Sequence, residues 1–347
     1  MNKLHLLLPG AINAATGGTL YDRQIADGLR SLGWDVRVRC LDESFPVPTE
    51  AALSDAARAL ADIGDGARVL VDGLALGAMP ALVANQRDRL RLIALVHHPL
   101  ALETGLDPAL ARALHRSESA ALRHVRRVVV TSPSTARLLD GFGVAATDIN
   151  VIEPGTEPAA LATGSGQGPL HLLCVGTVTP RKGHLLLIKA LAGLQHLKWR
   201  LTCAGSLERD PTTAAALHRH IGTLGLEHRV QLLGEVPHAD MAQLYASADL
   251  FVLPSLFEGY GMAYAEALAY GLPVLGSRAG AIPDTVPADA GLLVETGSTS
   301  ALAAALEQLI KDPKLRERLA AGARRARSQL PTWEDRARCF AEVLSHV

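Results

Sequence analysis

Two glutamates with seven residues between them, Glu258 and Glu266, stand out in the segment Pro254-Ser255-Leu-Phe-Glu258-Gly259-Tyr260-Gly261-Met-Ala-Tyr-Ala-Glu266-Ala267-Leu-Ala-Tyr-Gly271-Leu-Pro273-Val274. A carboxylate accepts several hydrogen bonds, so each can grip a vicinal diol such as that of a ribose or a hexose. Gly259 and Gly261 at a helix start let backbone amides approach a ligand, and the helix's partial positive charge there suits an anion. By themselves the two glutamates also fit a surface cap and the end of a turn. A second segment, Val175-Gly176-Thr177-Val178-Thr179-Pro180-Arg181-Lys182-Gly183-His184, sets adjacent cations on a glycine-bounded loop. Arg as a planar fork and Lys as a point charge can neutralise a diphosphate, although such a pair is often only a solvated corner.

Two further segments follow apolar runs near the start of the chain. Gly17-Gly18-Thr19 does not fit GxGxxG, which removes the main support for a dinucleotide-dependent dehydrogenase. In Leu95-Val96-His97-His98-Pro99-Leu100-Ala-Leu-Glu103, paired histidines can bind metal or move protons. No third ligand at a recognisable spacing accompanies them. Glu103 either orients one of them, touches an acceptor or stands in water. Leu232-Leu-Gly234-Glu235-Val236 and Gly276-Ser-Arg-Ala-Gly280 are weaker loop candidates. Arg112, Arg116 and Arg123 fall roughly along one side of a helical stretch, either a solvated face or a basic surface for membranes.

The elements that must position these loops are short apolar runs alternating with helical stretches. Leu4–Leu8, Val36–Leu41, Val69–Val71, Leu92–Val96 and Val128–Thr131 are apolar throughout, as parallel strands covered on both faces are. Tyr21 to Leu32 carries a helical spacing. Residues 153–169 are rich in Gly, Pro and small polar residues and read as a linker. A second alternation follows, with strands expected at Leu170–Val175, Arg200–Ala204, Val230–Leu233, Leu250–Leu253, Val274–Leu275 and Gly291–Val294. Thr332 to Val347 is amphipathic at helical spacing, with Thr332 and Asp335 as its cap. In open parallel sheets ligands sit beyond the carboxyl ends of the strands, where all these loops fall.

At 347 residues the chain exceeds one ordinary core, which favours two domains. A 48% hydrophobic and 20% charged composition excludes wholesale disorder. Lys+Arg at 34 against Asp+Glu at 35 excludes the strongly basic footprint of a nucleic-acid binder. Cys40, Cys174, Cys203 and Cys339 are far apart and read as small apolar residues in a reducing compartment. Leu4–Leu8 is too short for a signal-peptide core, and no run approaches the ~18 apolar residues of a spanning helix. A cytoplasmic protein is expected.

The Glu258–Glu266 segment resembles the E-x7-E motif of the retaining GT-B glycosyltransferases of family 4 (glycosyl transferases group 1), together with its Pro254-Ser255, Ala267 and Gly271-x-Pro273-Val context. The Gly176-to-Gly183 segment is similar to that family's phosphate loop, with one departure: Thr177 stands where many relatives have Arg. The resemblance covers nearly the whole chain. It implies a GT-B fold, two Rossmann-like doubly wound α/β domains facing across a cleft: residues 1–153 on the acceptor side, a linker at 154–168, a nucleotide-sugar domain at 169–330, and a terminal helix at 331–347 returning toward the first. It implies metal-independent transfer of a hexose from a nucleoside-diphosphate sugar, GDP-mannose or a UDP-hexose, to a glycan or lipid-linked hydroxyl. Glu266 would take the ribose and Glu258 the donor sugar; Arg181 and Lys182 would hold the diphosphate. One of His97 and His98 would approach the donor sugar. Ser255, Gly259, Tyr260, Gly261, Gly176, Thr177, Gly234 and Val236 would line the donor site, and Gly17, Gly18 and Glu103 the acceptor side. No cofactor beyond the donor and no nucleic-acid partner is implied; peripheral contact with the inner membrane face is. The rival readings are a catalytically silent nucleotide-sugar-binding subunit and another GT-B enzyme, such as a sugar-nucleotide epimerase or a phosphorylase.

Overall fold

A computed structural model describes residues 2–14 and 16–347. The chain divides into two compact units, Met1–Gly155 with Pro331–Val347, and Thr156–Leu330.

In the first unit β1 (Lys3–Pro9), β2 (Asp35–Leu41), β3 (Arg68–Asp72), β4 (Arg91–Val96), β5 (Arg127–Val130) and β6 (Ile149–Val151) form a parallel sheet in the order β2-β1-β3-β4-β5-β6. Leu7 lies opposite Val71, Val71 opposite Ala94, and Ala94 opposite Val128. Because side chains alternate along a strand, these residues feed one core, while Leu6, Leu8, Leu70, Ile93, Leu95 and Val129 feed another on the opposite face. That double burial is why the runs are apolar throughout.

The helix Gly17–Ser31 starts earlier than the Tyr21 of the sequence expectation. Thr16 and Thr19 form a capping box, which draws Gly17 and Gly18 into the first helical turn instead of leaving them in a loop. The C-terminal helix Trp333–Ser345 begins at the Thr332–Asp335 capping box and packs on this first helix. A Cβ on Gly28 would lie 2.5 Å from the Ala337 Cβ, so only glycine permits that approach. Arg68 and Arg91 donate to the carbonyls of Leu344 and Val347, tying the chain's end to the amino-terminal ends of the central strands β3 and β4.

The second unit repeats the plan with β7 (Leu170–Val175), β8 (Trp199–Ala204), β9 (Val230–Leu232), β10 (Leu250–Leu253), β11 (Val274–Ser277) and β12 (Gly291–Val294), parallel in the order β12-β11-β10-β7-β8-β9. The segment before β7 lacks regular structure yet is bonded down: Ala162 N–H donates to the Tyr270 carbonyl, and Ser165 donates through N–H and hydroxyl to Asp249.

Candidate active site

In the second unit, two loops leave the carboxyl ends of the adjacent strands β7 and β10 and interlock. Gly183 has φ +73°, and a Cβ there would sit 2.2 Å from the Pro254 carbonyl oxygen, so the close approach of these loops requires glycine. Leu256 N–H donates to the Arg181 carbonyl at 2.7 Å, locking the register.

This contact brings four of the expected site residues together. Glu258, 5% exposed, accepts from Lys182 Nζ at 2.7 Å and from Ser255 Oγ at 2.6 Å, both on Oε1. Arg181 Nη1 reaches Oε2 at 3.4 Å and donates to the Phe257 carbonyl at 2.9 Å. Burial alone would raise the Glu258 pKa; the charges of Lys182 and Arg181, with the Lys182 and Ser255 hydrogen bonds, outweigh it and hold the carboxyl below its ordinary value. Glu258 is therefore an ionised acceptor. The two cations it anchors keep partly exposed heads.

Gly261, at φ +92°, caps the helix Met262–Ala269. The Tyr260 carbonyl accepts from Thr285 Oγ1 at 2.6 Å, and the Glu258 carbonyl accepts from Ala281 N–H at 2.9 Å, so the Glu258-to-Gly261 loop is braced from β11's far end. Glu266 sits one turn into that helix, half-buried, and accepts from the Tyr245 hydroxyl at 2.6 Å. Burial lifts its pKa, with the Tyr245 hydrogen bond opposing. Gly176 lies against the aliphatic stem of Lys182; an added Cβ would meet Lys182 Cδ at 3.4 Å. Gly176 N–H donates to the Ala204 carbonyl and Gly205 N–H to the Gly234 carbonyl, both at 2.8 Å. The ends of β7, β8 and β9 are thereby stitched into one rim that also carries the half-buried Thr177 and Val236.

In the first unit the organised group is His97, at the end of β4. Its Nε2 lies 3.0 Å from Asp22 Oδ1 and 3.5 Å from Asp72 Oδ2, and Tyr21 meets the ring edge-on at 5.3 Å. Both aspartates are buried. Burial would lower the imidazole pKa, but the Asp22 charge, its hydrogen bond and the Asp72 charge raise it above the ordinary value. Burial, with the Asp22 charge, pushes Asp72 up to about 7. A Cβ on Gly18 would press on His97 Cδ2 at 3.3 Å, so this glycine leaves room for the ring. Gly17 opens the same helix. His98 follows half-buried, and Glu103 is exposed, accepting from Thr104 N–H at 2.9 Å. The carboxylates that orient a histidine are thus Asp22 and Asp72, neither of them anticipated, and the histidine they hold is His97.

The chain matches the family described as Glycosyl transferases group 1 over residues 162–326, and the Glycosyl transferase 4-like domain over residues 16–155. It belongs to the group 1 glycosyltransferases. Among curated relatives it is 27% identical over 306 residues to the MMP alpha-(1->4)-mannosyltransferase of Mycolicibacterium hassiacum, covering 84% of this chain and 73% of that one. It is 33% identical over 184 residues to the D-inositol 3-phosphate glycosyltransferase of Corynebacterium glutamicum, covering 50% of this chain but only 43% of the relative. Among solved structures, sucrose-phosphate synthase from Thermosynechococcus elongatus superposes with a TM-score of 0.85 at 21% identity, covering 100% of this chain and 99% of the other. Anabaena HepE, solved with UDP and glucose, gives 0.80 at 21% identity over 99% and 100%. The fold is GT-B.

Several residues of this glycosyltransferase's organised clusters carried no local signal. Asp22 sits within a helix, Asp72 ends a strand, and Tyr245 lies on the helix His238–Ala246; long-range packing alone assembles each with its partner. Cys174 and Cys203, distant in sequence, are buried and free and lie in register on β7 and β8.

Proposed function

We propose that this glycosyltransferase moves a hexosyl group, with retention at the anomeric carbon, from a nucleoside-diphosphate sugar to a hydroxyl of a glycan or glycolipid. The observation that carries this reading is the Glu258 network. An ionised, buried carboxylate holds Lys182 and Arg181 at the ends of two adjacent strands, beside a glycine-capped helix start. That arrangement presents a preorganised positive charge to a departing diphosphate and leaves the glutamate an acceptor for sugar hydroxyls. Glu266, oriented by Tyr245, has the geometry to accept from a ribose diol.

In the reaction the bond between the anomeric carbon and the diphosphate oxygen breaks, its electron pair leaving with the diphosphate. The acceptor oxygen forms the new bond on the same face, and its proton passes to the departing phosphate oxygen. Arg181 and Lys182 stabilise the developing negative charge without a metal, and His97, held by Asp22 and Asp72, supplies a hydrogen-bond donor to the donor sugar. UDP-hexoses and GDP-mannose lead as donors: HepE has been solved with UDP-glucose, and one relative is a mannosyltransferase. None of the helices among the described residues is long and apolar enough to cross a membrane. The exposed Arg112, Arg116 and Arg123 would serve a peripheral contact at the cytoplasmic membrane face.

The test is nucleoside-diphosphate release across a panel of UDP- and GDP-sugars with EDTA present. Slow turnover of one donor, lost in Glu266→Ala, supports metal-independent transfer. Turnover that requires added Mg²⁺ or Mn²⁺, or a bound donor left unchanged with every acceptor class, overturns the reading.

A further inference from the structure

β7 and β8 set Cys174 directly opposite Cys203, and the helix His184–Ala192 lays its first residue, His184, onto that pair. One sulfur from each cysteine and one His184 ring nitrogen lie within 4.8 Å of one another. The three residues are 0%, 4% and 1% exposed, and both cysteines are free. The His184 ring makes no hydrogen bond to nitrogen or oxygen among the described residues, and its polar neighbour is the Cys174 thiol. Native interiors seldom leave a buried imidazole so poorly satisfied. This imidazole faces two sulfurs with at least one of its nitrogens unused.

We propose that Cys174, Cys203 and His184 bind one thiophilic divalent cation of the zinc type. Two thiolates and an imidazole are the soft donor set such ions select, and three protein ligands are the number used where one coordination position stays open. Metal–sulfur bonds of about 2.3 Å and metal–nitrogen bonds of about 2.0–2.1 Å place the ligands of one tetrahedral ion about 3.5–3.8 Å apart, inside the 4.8 Å within which these three atoms lie. Charge balance favours a divalent ion: two thiolates cancel it, so no net charge enters the apolar core. Both thiol protons leave on metal binding. A small ligand such as water would complete the tetrahedron, and the ion, sealed from any donor, would serve the structure. It would pin the start of the helix that follows Gly183 and so stiffen the base of the Arg181–Lys182 loop, without touching a donor.

The test uses the full chain carrying Cys40→Ser and Cys339→Ser, so that only this pair of thiols remains. It is refolded under reducing conditions after chelator treatment, with and without Cd²⁺. The expected result is one Cd²⁺ per chain, a thiolate-to-metal charge-transfer band in the near ultraviolet that Zn²⁺ competes away, and a higher thermal midpoint. Adding Cys203→Ser should abolish the band. Adding His184→Ala, which keeps both thiols, should weaken Cd²⁺ by at least about tenfold, the loss that even outer-shell partners of a metal site cause. No band in the parent, or a band undiminished by Cys203→Ser, overturns the proposal. Should Cys203→Ser fail to fold, unchanged Cd²⁺ affinity in His184→Ala overturns it instead.

Discussion

Lys182 Nζ lies 2.7 Å from Glu258 Oε1, so the cation nearest the strand ends is held by the glutamate beside it. Removing Lys182 takes the nearest cation from Glu258, which keeps Ser255 and Arg181. For Lys182→Ala the expected outcome is a fall in kcat of about 10²–10³-fold, the usual loss of one preorganised electrostatic donor. Stability should drop by up to about 3–5 kcal/mol, because a buried carboxylate loses a partner. Steady-state kinetics and thermal melting on the same preparation check both. Wild-type turnover in a folded Lys182→Ala would remove this residue from the reaction.

The Tyr245–Glu266 hydrogen bond makes a different kind of prediction. Tyr245 lies on a neighbouring helix and fixes the carboxylate's orientation from behind. Tyr245→Phe should raise the donor KM by about 5–10-fold, the loss of one ordinary intramolecular hydrogen bond, with kcat nearly unchanged. Glu266→Ala should do the same more severely. A Tyr245→Phe variant in which kcat fell and KM did not would assign the tyrosine elsewhere.

His97 predicts a pH dependence. Asp22 and Asp72 raise its pKa above the ordinary 6.5, so it stays protonated to higher pH in the folded protein. If the charged imidazolium serves transfer, kcat/KM declines on the alkaline side as that proton leaves. Asp22→Asn deletes the larger of the two raising charges and should move the alkaline limb to lower pH; Asp72→Asn should move it less. A limb that stays in place in both variants, with His97→Gln still active, would detach the triad from catalysis.

How much of this was legible in the sequence depends on whether a feature is local. Leu170–Val175, Leu250–Leu253 and Gly291–Val294 are strands to the residue, because each is a short, largely apolar run. β6 was missed since two of its residues are only half-buried and Val151 is exposed at a sheet edge, so it carries little apolar contrast. Gly17 and Gly18 read as a loop because glycine is a poor helix former, whereas the Thr16–Thr19 capping box settles the matter in favour of helix. The Glu258 and Arg181–Lys182 segments announced themselves through spacing. Their mutual contact is 76 residues apart in sequence and belongs to the sheet order. Asp22 and Asp72 are ordinary acidic residues until β1, β3 and β4 are laid side by side.

Glu118 offers the last prediction, one about stability. It is buried beneath the loop after β4, where Oε2 accepts from Leu100 N–H at 2.8 Å, and burial pushes its pKa up to about 8 from 4.5. The folded state therefore holds a proton that the unfolded chain releases above about pH 4.5. Between these two values the native protein binds more protons, so stability falls as pH rises, with a slope of at most about 1.4 kcal/mol per pH unit from this group. Asp72 and His97 act in the same direction, so the comparison must be differential. Glu118→Gln keeps an oxygen for Leu100 N–H but cannot ionise. Its thermal midpoint should decline less than that of the wild type from pH 5 to pH 8, and the two curves should diverge most at the alkaline end. Parallel curves across that range would mean that Glu118 stays ionised in the fold, and that a counter-charge rather than a proton satisfies it.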